Sequence, residues 1–563
     1  MLCAGLLAGV DMTSTTLAAE AKPKKAASAE TKPAAPKTQA DAKDKDKPKE
    51  EKKEEEKPSP PPSGPQTDGK FRKVILASDQ KVGDVYEDTL ADPMELAVAK
   101  DGRVFFIERG GKVKLWKPQT QTTSVIGEIK VFTDLEDGLI GLALDPNFQE
   151  NHWLYLHYSL PDTGTNAAGM KVGTNRVSRF TVRGDALDMA SEKPVLDIPT
   201  QREKCCHVGG SLAFDAQGNL YISVGDNTNP FESDGFSPID QRKGRSPFDA
   251  QVSSANSNDL RGKVLRIRPL PDGGYTVPEG NLFPQAASGK MNRQSVRIEK
   301  GAQGLMTPPP LVRGATRPEI YVMGCRNPFR ISVDPRSGFL YWGDVGPDAK
   351  EFKESRGPAG MDEINQARQA GNFGWPYFIG ENKPYWIRDF KASTNAVFKA
   401  RFDPSKPVNK SPNNSGLKKL PPAQPAFIYY PASPSVKFPA VNGEGGRTAM
   451  AGPVYYFDPE LKSSRKLPKD FDHTLFIYEW SRNWIIAVHL DKDEKIAKME
   501  RFCPKMTFKR PMDMELGPDG CLYVIEWGTG WKKNKDTQIV RVEYAGDCSV
   551  AALAQFHPAM RCC

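Results

Sequence analysis

The histidine at position 207 is the first side chain whose type and setting could do chemistry. It lies in the segment KCCHVGGSLAFD (204–215), directly before a Gly-Gly pair and an apolar run that predicts a strand. This spacing places the histidine on a loop at a strand end. The chain has 6 histidines, and a neutral imidazole in such a loop can take a proton near neutral pH. A structural histidine packed within the loop explains the same spacing.

A second group of candidates lies downstream and combines a cation, an amide and a turn. Arg326-Asn327-Pro328 precedes one predicted strand, and Gly346-Pro347 follows the next. An Arg-Asn pair at the mouth of a strand can bind an anionic, oxygen-rich ligand. The carbonyl groups of a Gly-Pro turn can face a hard cation such as calcium. A surface arginine and an ordinary turn are the alternative interpretation.

The candidates flank a repeated pattern of an apolar strand, a turn written D-x-x-G or P-D-G, and a second β-rich strand. Asp and Gly supply the positive φ of the turn, and the alternating flanks predict a hairpin. Such units, repeated at intervals of tens of residues, are typical of a propeller. We therefore predict an all-β, six-bladed β-propeller rather than an unrelated all-β sandwich. The copies, of which the last lacks the turn signature, lie at 94–116, 139–159, 211–226, 331–346, 512–528 and 473–491.

Composition divides the chain into four segments. Residues 1–21 are apolar and end in a small-x-small site, which predicts a signal peptide without a basic start and export to the periplasm or cell surface. Residues 22–70 are rich in Lys, Ala, Pro and Glu and have too few apolar side chains to fold, which predicts a disordered linker. Residues 71–544 are the predicted propeller, and 545–563 form a cysteine-containing tail.

Long insertions interrupt the repeat at 227–260, 270–318 and 376–450. Loops on one face of a propeller usually build its site, so we expect these insertions on the face that carries the candidates. Four tryptophans are predicted to pack within the blades rather than to form a sugar platform. They are Trp342, Trp375, Trp480 and Trp484.

Bulk properties argue against several classes of protein. The net charge is +8, but much of the charge lies in the mixed Lys/Glu segment, so nucleic-acid binding is not favoured. The sequence has no apolar run of about 18 residues, as a transmembrane helix requires. The 9 cysteines show neither zinc nor haem spacing. The adjacent Cys205 and Cys206 form either a vicinal disulfide or two reduced or separately paired cysteines.

Six short stretches of the chain follow one another in a fixed order. They read H-x-x-G-x-L, G-x-R-N-P, G-P, D-E-I-N and G-N-F-G-W-P, with G-L-I-G-L-A upstream. In this order they resemble the soluble glucose and sorbosone dehydrogenase family, which uses pyrroloquinoline quinone (PQQ). The likeness covers roughly residues 71–544, and the ordered set is specific although no single motif is. The stretches are His207–Leu212, Gly324–Pro328, Gly346-Pro347, Asp362–Asn365, Gly371–Pro376 and Gly138–Ala143.

The resemblance implies that the chain oxidises the C1 hydroxyl of an aldose or related sugar to the lactone. It implies His207 as the general base and hydride transfer to Ca²⁺-bound PQQ. Arg326 matches an arginine beside the quinone, where a cation stabilises developing charge, and Asn327 next to it is a further cofactor ligand. The carbonyls of Gly346 and Pro347 match those that hold the calcium ion.

Other family positions are matched less completely. Arg510 matches an arginine that pairs with a PQQ carboxylate, and Glu136 occupies the place of a glutamine near the sugar. A family lysine falls at Ser481, so the resemblance leaves Arg482 beside it to carry the charge. A second family arginine falls at Met512. The anionic end of the cofactor therefore has fewer matching cations than the family pattern provides.

Two other classes of function stay open. One is a propeller that has lost redox activity and binds carbohydrate or a protein partner. The other is a calcium-dependent hydrolase of the lactonase type, which needs a ring of carboxylate and amide ligands at the channel centre. The dehydrogenase interpretation implies a small-molecule sugar substrate and, because no haem motif is present, an external electron acceptor.

Overall fold

The structure is a computed structural model of the chain, and it consists almost entirely of strands and loops. The described residues contain no helix that is both long and apolar enough to span a bilayer. The helical segments are one α-helix, α1 (Phe148–Asn151), and 3-10 turns at Ser246–Phe248, Pro439–Val441 and Lys469–Phe471. The residues described are 66–82, 85–87, 90–134, 136–166, 169–231, 233, 238–284, 314–354, 356–388, 397–530 and 534–546.

The strands are mostly short, as the spacing of turn residues predicts. Strands β1 to β34 are, in chain order, Gln66–Asp68, Phe71–Ser78, Gln80–Val82, Val85–Glu87, Pro93–Val98, Val104–Glu108, Lys112–Lys117, Thr122–Glu128, Leu139–Leu144, Trp153–Ser159, Gly164–Thr165, Lys171–Arg183, Ala186–Gln201, Gly209–Phe214, Leu220–Val224, Lys263–Pro269, Tyr275–Thr276, Ile320–Met323, Pro328–Val333, Leu340–Asp344, Met361–Ala367, Gly371–Asn372, Phe378–Ile379, Lys383–Pro384, Trp386–Arg388, Val397–Arg401, Ile428–Pro431, Ala449–Tyr455, Thr474–Glu479, Trp484–Leu490, Ile496–Arg501, Pro511–Leu516, Leu522–Glu526 and Gln538–Tyr544.

Six antiparallel sheets form the blades, which we number from the N-terminal end. Blades 1 to 6 are β5-β6-β7-β8, β9-β10-β12-β13, β14-β15-β16-β18, β19-β20-β21-β27, β28-β29-β30-β31 and β32-β33-β34-β2. The first strands of neighbouring blades contact one another around a closed ring, in which β32 of blade 6 meets β5 of blade 1. This ring confirms the predicted all-β, six-bladed propeller.

Blade 6 joins the two ends of the described chain. Its outer strand β2 pairs antiparallel with β34, with Phe71 opposite Tyr544, and the two rings pack edge to face at 5.7 Å. The short strand β1 pairs with β2 in turn, although Gln66–Asp68 lies in the segment predicted as linker. Its pairing rests on backbone hydrogen bonds, which the composition of a segment does not reveal.

The second strand of each blade is covered on both faces by its neighbours, which is where the core lies. β6 (VFFIE), β15 (LYISV) and β33 (LYVIE) are buried along their whole length. They therefore read as continuous apolar runs rather than as alternating ones. β6 and β33 both end in a buried glutamate.

The Asp-x-x-Gly turn of blade 3 shows how the repeat forms its hairpins. Asp215 Oδ1 accepts hydrogen bonds from the backbone N–H groups of Gln217 (3.0 Å) and Asn219 (2.8 Å). Gly218 takes a φ of +80°, which a residue without Cβ adopts readily. The turn makes β14 and β15 antiparallel, so the start of β14 and the end of β15 meet at the opposite edge of the sheet.

Five predicted copies begin on the first strand of blades 1, 2, 3, 4 and 6. The copy at 473–491 instead covers the second and third strands of blade 5. The first strand of this blade, β28, lies upstream and is joined to β29 by a loop with a 3-10 turn, so the hairpin signature is absent there. The insertion at 376–450 contributes β27, which completes blade 4. The predicted signal peptide, most of the linker and nearly all of the C-terminal tail lie outside the described residues.

Candidate active site

Segments that precede first strands and follow second strands gather at one end of blades 3 and 4. His207 comes just before β14, and Asp226 comes two residues after β15 ends. Arg326 precedes β19 in the same way, and the Gly346-Pro347 turn follows β20. The two blades are tied here by a hydrogen bond of 2.8 Å from the Asp226 N–H to the Arg326 carbonyl. The candidates from distant parts of the sequence therefore share one edge.

The imidazole of His207 is held by a buried carboxylate. Its Nδ1 lies 2.7 Å from Oδ1 of Asp226, and only 3% of the histidine is exposed. The other carboxylate oxygen, Oδ2, accepts a hydrogen bond of 2.8 Å from Nε1 of Trp375, and Oδ1 also accepts the Thr228 N–H at 2.9 Å. A carboxylate can only accept, so Nδ1 carries the ring proton and Nε2 presents the lone pair. This arrangement can accept a proton at Nε2.

The carboxylate at the end of the second strand recurs around the propeller. Glu108 in blade 1 accepts the backbone N–H of Ala91 at 2.9 Å, and Glu479 in blade 5 accepts that of Thr448. In both blades the acid anchors the backbone ahead of the first strand. In blade 3 the equivalent acid holds the imidazole of the first-strand loop instead. Asp226 was not among the residues predicted for the site, although an acid at or just after the end of the second strand recurs in five of the six blades.

Arg326 is nearly buried beside the same tryptophan. Its Nη1 donates to the Val345 carbonyl at 2.7 Å, and its guanidinium carbon lies 5.8 Å from the centre of the Trp375 ring. Its backbone N–H donates to Asp344 Oδ2 at 3.0 Å. Burial raises the pKa of Asp344 to about 7. Arg326 is therefore a fixed positive charge next to the histidine–aspartate pair.

Two other predicted residues support the His207 loop from below. Asn327 Oδ1 accepts the Gly209 N–H at 3.0 Å, and Glu136 Oε2 accepts the Val208 N–H at 3.2 Å. Both side chains are buried. In this structure they hold the backbone that follows the histidine, and neither of them lines the cavity described next.

A cavity of about 310 Å³ opens at this end of the propeller. It is lined by His207 and Asp226, by three arginines, and by aromatic rings that include Trp375, which was predicted to pack only within a blade. Of the other two arginines, Arg356 comes from the loop after Pro347 and Arg388 ends the short strand β25. Both were missed, because nothing in their sequence setting marks them. The principal lining residues are His207, Asp226, Phe231, Arg326, Pro347, Arg356, Trp375, Tyr385, Trp386 and Arg388.

One of the two predicted calcium carbonyls, that of Pro347, is already engaged by the protein. The Gly346 N–H donates to Asp362 Oδ1 at 3.2 Å. The Pro347 carbonyl accepts a hydrogen bond of 2.6 Å from Nη2 of Arg447, a buried residue that sequence reasoning also missed. The described residues contain no group of three or more His, Cys, Asp or Glu placed to hold a metal ion.

The two remaining predicted cofactor ligands lie away from the cavity lining. Arg482 donates to the carbonyls of Gly446 (3.1 Å) and Val441 (3.0 Å). Arg510 donates to the Gly530 carbonyl at 2.8 Å, and its guanidinium lies 4.5 Å from the Trp480 ring centre. The structure therefore brings together His207, Arg326 and Pro347 but not these two arginines.

The cysteine pair before the histidine is joined by a disulfide between Cys205 and Cys206. Cys206 is buried, and the bridge directly precedes His207 in the chain. Three further cysteines in the described part are buried and unpaired, and these are Cys325, Cys503 and Cys521. The vicinal disulfide was one of two open alternatives.

The fold and site define a six-bladed propeller with a histidine–carboxylate pair in a cavity rich in arginine and aromatic rings. The chain belongs to the Glucose / Sorbosone dehydrogenase family, whose sequence model matches residues 90–307 and 284–418.

Named relatives cover most of the chain. Aldose sugar dehydrogenase YliI of Escherichia coli (strain K12) is 25% identical over 445 residues, which span 78% of this chain and 89% of the relative. Quinoprotein glucose dehydrogenase B of Acinetobacter calcoaceticus is 22% identical over 493 residues, or 84% of this chain and 90% of the relative. The crystal structure of the apo form of the soluble aldose sugar dehydrogenase from Escherichia coli shares the fold, with a TM-score of 0.51, 19% identity, and coverage of 84% of this chain and 99% of that one.

Proposed function

We propose that this protein is a PQQ-dependent sugar dehydrogenase that oxidises the C1 hydroxyl of an aldose or related sugar to the lactone. The observation that carries the proposal is the 2.7 Å contact of His207 with Asp226 at the wall of a cavity lined by three arginines. The family and the two named relatives, an aldose sugar dehydrogenase and a quinoprotein glucose dehydrogenase, support the reaction class and the cofactor.

His207 acts as the general base in this proposal. Nε2 takes the proton of the C1 hydroxyl, because Nδ1 is committed to the Asp226 carboxylate. The charge that forms on the ring is then stabilised by Asp226, as in other histidine–carboxylate pairs. The hydrogen bond from Trp375 and the N–H of Thr228 keep the carboxylate in place.

The cavity fits a planar, multiply anionic aromatic cofactor. Trp375, Tyr385 and Trp386 provide flat apolar surface, and Arg326, Arg356 and Arg388 provide positive charge. When bound, PQQ supplies the acceptor for the hydride that leaves C1. We assign Arg326 to stabilising negative charge next to the base, and Arg356 with Arg388 to the cofactor carboxylates.

The other residues that the resemblance assigns have supporting or weaker roles. Asn327 and Glu136 shape the site through the backbone after His207. The role of Glu136 toward the sugar stays a proposal, because its side chain does not line the cavity. Pairing of Arg482 and Arg510 with the cofactor carboxylates stays a proposal, although backbone carbonyls accept hydrogen bonds from both guanidinium groups. The Gly346-Pro347 turn does not fit a calcium ion as it stands, because Arg447 occupies the Pro347 carbonyl.

Export to the periplasm or cell surface and an external electron acceptor complete the proposal. Both rest on features outside the described residues or on the absence of a haem motif from the sequence. The proposed sugar is a small molecule that enters the cavity past Phe231, a partly exposed ring at its wall.

Cofactor reconstitution tests the proposal. The purified full chain is titrated with PQQ by absorbance, and the product is then assayed for dye reduction with a panel of aldoses. We expect saturable binding and lactone formation from at least one aldose. A chain that binds carbohydrate but neither binds PQQ nor reduces dye would be the inactive carbohydrate-binding propeller instead.

A further inference from the structure

Arg447 is a buried cation in the segment before the first strand of blade 5. Its Nη2 donates to the Pro347 carbonyl at 2.6 Å and its Nη1 to the Gly360 carbonyl at 2.8 Å. Its Nε lies 3.4 Å from Oδ1 of Asp362, and only 3% of the arginine side chain is exposed. Three groups from blade 4 therefore fix this guanidinium at the Gly346-Pro347 turn.

The turn packs closely against the segment that precedes β21. A Cβ added at Gly360 would overlap the Pro347 carbonyl oxygen, so the two backbone segments are in close contact. The Gly346 N–H is fixed by Asp362, which also accepts the Ala449 N–H at 2.9 Å. The carbonyl that faces Arg447 is thus held by packing on one side and by hydrogen bonds on the other.

A calcium ion and this arginine compete at Pro347. Calcium needs several oxygen ligands, and at Pro347 it could use only the lone pair that the guanidinium leaves free. Displacing the guanidinium instead would break two charge-assisted hydrogen bonds and an ion pair in a buried setting. With the arginine in place, a divalent cation at the same turn would be repelled by its charge.

We infer that Arg447 supplies the positive charge at the Gly346-Pro347 turn in place of Ca²⁺, so that PQQ binds to this protein without a divalent cation. The inference rests on the proposed function, because it concerns how the same site receives its cofactor. An arginine here keeps the charge that a quinone site needs, yet it is covalently part of the chain and cannot be removed by a chelator.

Cofactor binding in the presence of a chelator tests this inference without an activity assay. The full chain is titrated with PQQ by absorbance in excess EDTA and again in excess Ca²⁺. We expect the two dissociation constants to agree within about threefold, a difference of less than 1 kcal/mol. Binding that requires Ca²⁺ would overturn the inference but leave the proposed function standing. Absence of PQQ binding under both conditions would overturn both.

Substitutions at Arg447 provide the second arm. Arg447→Gln removes the charge and should weaken PQQ binding in EDTA by about tenfold or more, with recovery on adding Ca²⁺. Arg447→Lys keeps the charge, so its dissociation constant for PQQ in EDTA should stay within about fivefold of that of the unchanged chain. This variant tests the inference if Arg447→Gln does not fold. The matched control is Arg368→Gln. Arg368 also donates to two loop carbonyls, those of Asp493 and Glu494, but it directly follows the C-terminal end of β21, whereas the Pro347 turn lies near the start of that strand. Unaltered PQQ binding by Arg447→Gln in EDTA would contradict the inference.

Discussion

The Nδ1 atom of His207 lies 2.7 Å from Oδ1 of Asp226, and this contact joins the loop before β14 to the residue that follows β15. Because Trp375 donates to the second oxygen of the same carboxylate, both oxygens act as acceptors. An asparagine at position 226 has one oxygen and one NH₂ group. With Nδ1 protonated, it can accept from His207 or from Trp375 but not from both. It satisfies both only if the ring proton moves to Nε2, so that Nδ1 accepts from the NH₂ group.

Asp226→Asn should lower turnover with an aldose by at least about 100-fold, because it disturbs the tautomer that leaves Nε2 unprotonated. PQQ affinity should change little. The measurement is kcat together with a cofactor titration of the same sample. Glu108→Gln is the matched control, since Glu108 ends the second strand of blade 1 in the equivalent place but lies outside the cavity lining. Loss of turnover in the control alone would contradict the role of Asp226.

The cavity arginines should control cofactor affinity. Arg356→Gln and Arg388→Gln should each raise the dissociation constant of PQQ by about tenfold, the effect of removing one hydrogen bond to a charged group. Added salt should weaken binding by the unchanged chain more than binding by the variants. Arg510→Gln provides the comparison, because this guanidinium is held by Gly530 and Trp480. A larger loss with Arg510→Gln than with Arg388→Gln would place the anionic end of the cofactor elsewhere.

Glu363 should make stability fall as the pH rises. Burial, with the nearby Asp344, raises the pKa of Glu363 from 4.5 to about 8. The folded protein therefore binds this proton more tightly than the unfolded chain does. The stabilisation is complete below pH 4.5 and is lost as the pH rises through about 8.

Glu363→Gln should remove this contribution. The glutamine oxygen can accept the Gly380 N–H that Glu363 Oε1 accepts now at 2.6 Å. Oε2 of Glu363 now accepts from Nδ2 of Asn365 at 3.1 Å, so the Asn365 amide must turn over, after which its Oδ1, which has no hydrogen-bond partner now, accepts from the glutamine NH₂. When the pH rises from 5 to 8, the free energy of unfolding of the variant should increase by about 2 to 4 kcal/mol relative to that of the unchanged chain. One pKa unit corresponds to about 1.4 kcal/mol. Denaturant unfolding at the two pH values measures this difference. Parallel pH curves for the two proteins would show that Glu363 is ionised throughout.

The vicinal disulfide predicts a labelling pattern. In denaturant without reductant, a thiol reagent should modify Cys325, Cys503 and Cys521 but spare Cys205 and Cys206. Addition of reductant before denaturation should make both available. Peptide mass spectrometry assigns each site, and modification of either cysteine before reduction would show that the bridge is absent.

The propeller could be predicted because its blades repeat a local signal. An Asp-x-x-Gly turn between apolar strands is encoded within about 20 residues, and each copy falls on a blade. The predicted copy in blade 5 began one strand too late, at β29 instead of β28. A long loop separates these two strands and leaves no turn signature. The pairing of β2 with β34 spans the whole chain and rests on backbone hydrogen bonds, which no local pattern reports.

The site could be predicted only where residues stand next to strands of the repeat. His207 and Arg326 precede first strands, so their positions follow from the blade pattern. Arg356 and Arg447 lie in loops and Arg388 ends the short strand β25, and only tertiary packing brings them to the cavity or to the Pro347 carbonyl.

The central claim is that His207 takes the proton from the sugar after the cofactor has bound. The direct measurement compares the unchanged chain with His207→Ala, each loaded with PQQ by absorbance titration and mixed with an aldose in a single turnover. We expect both to bind PQQ within about threefold, while cofactor reduction slows by at least about 100-fold in the variant and is partly restored by added imidazole. Equal reduction rates in the two proteins would contradict the assignment of His207 as the base.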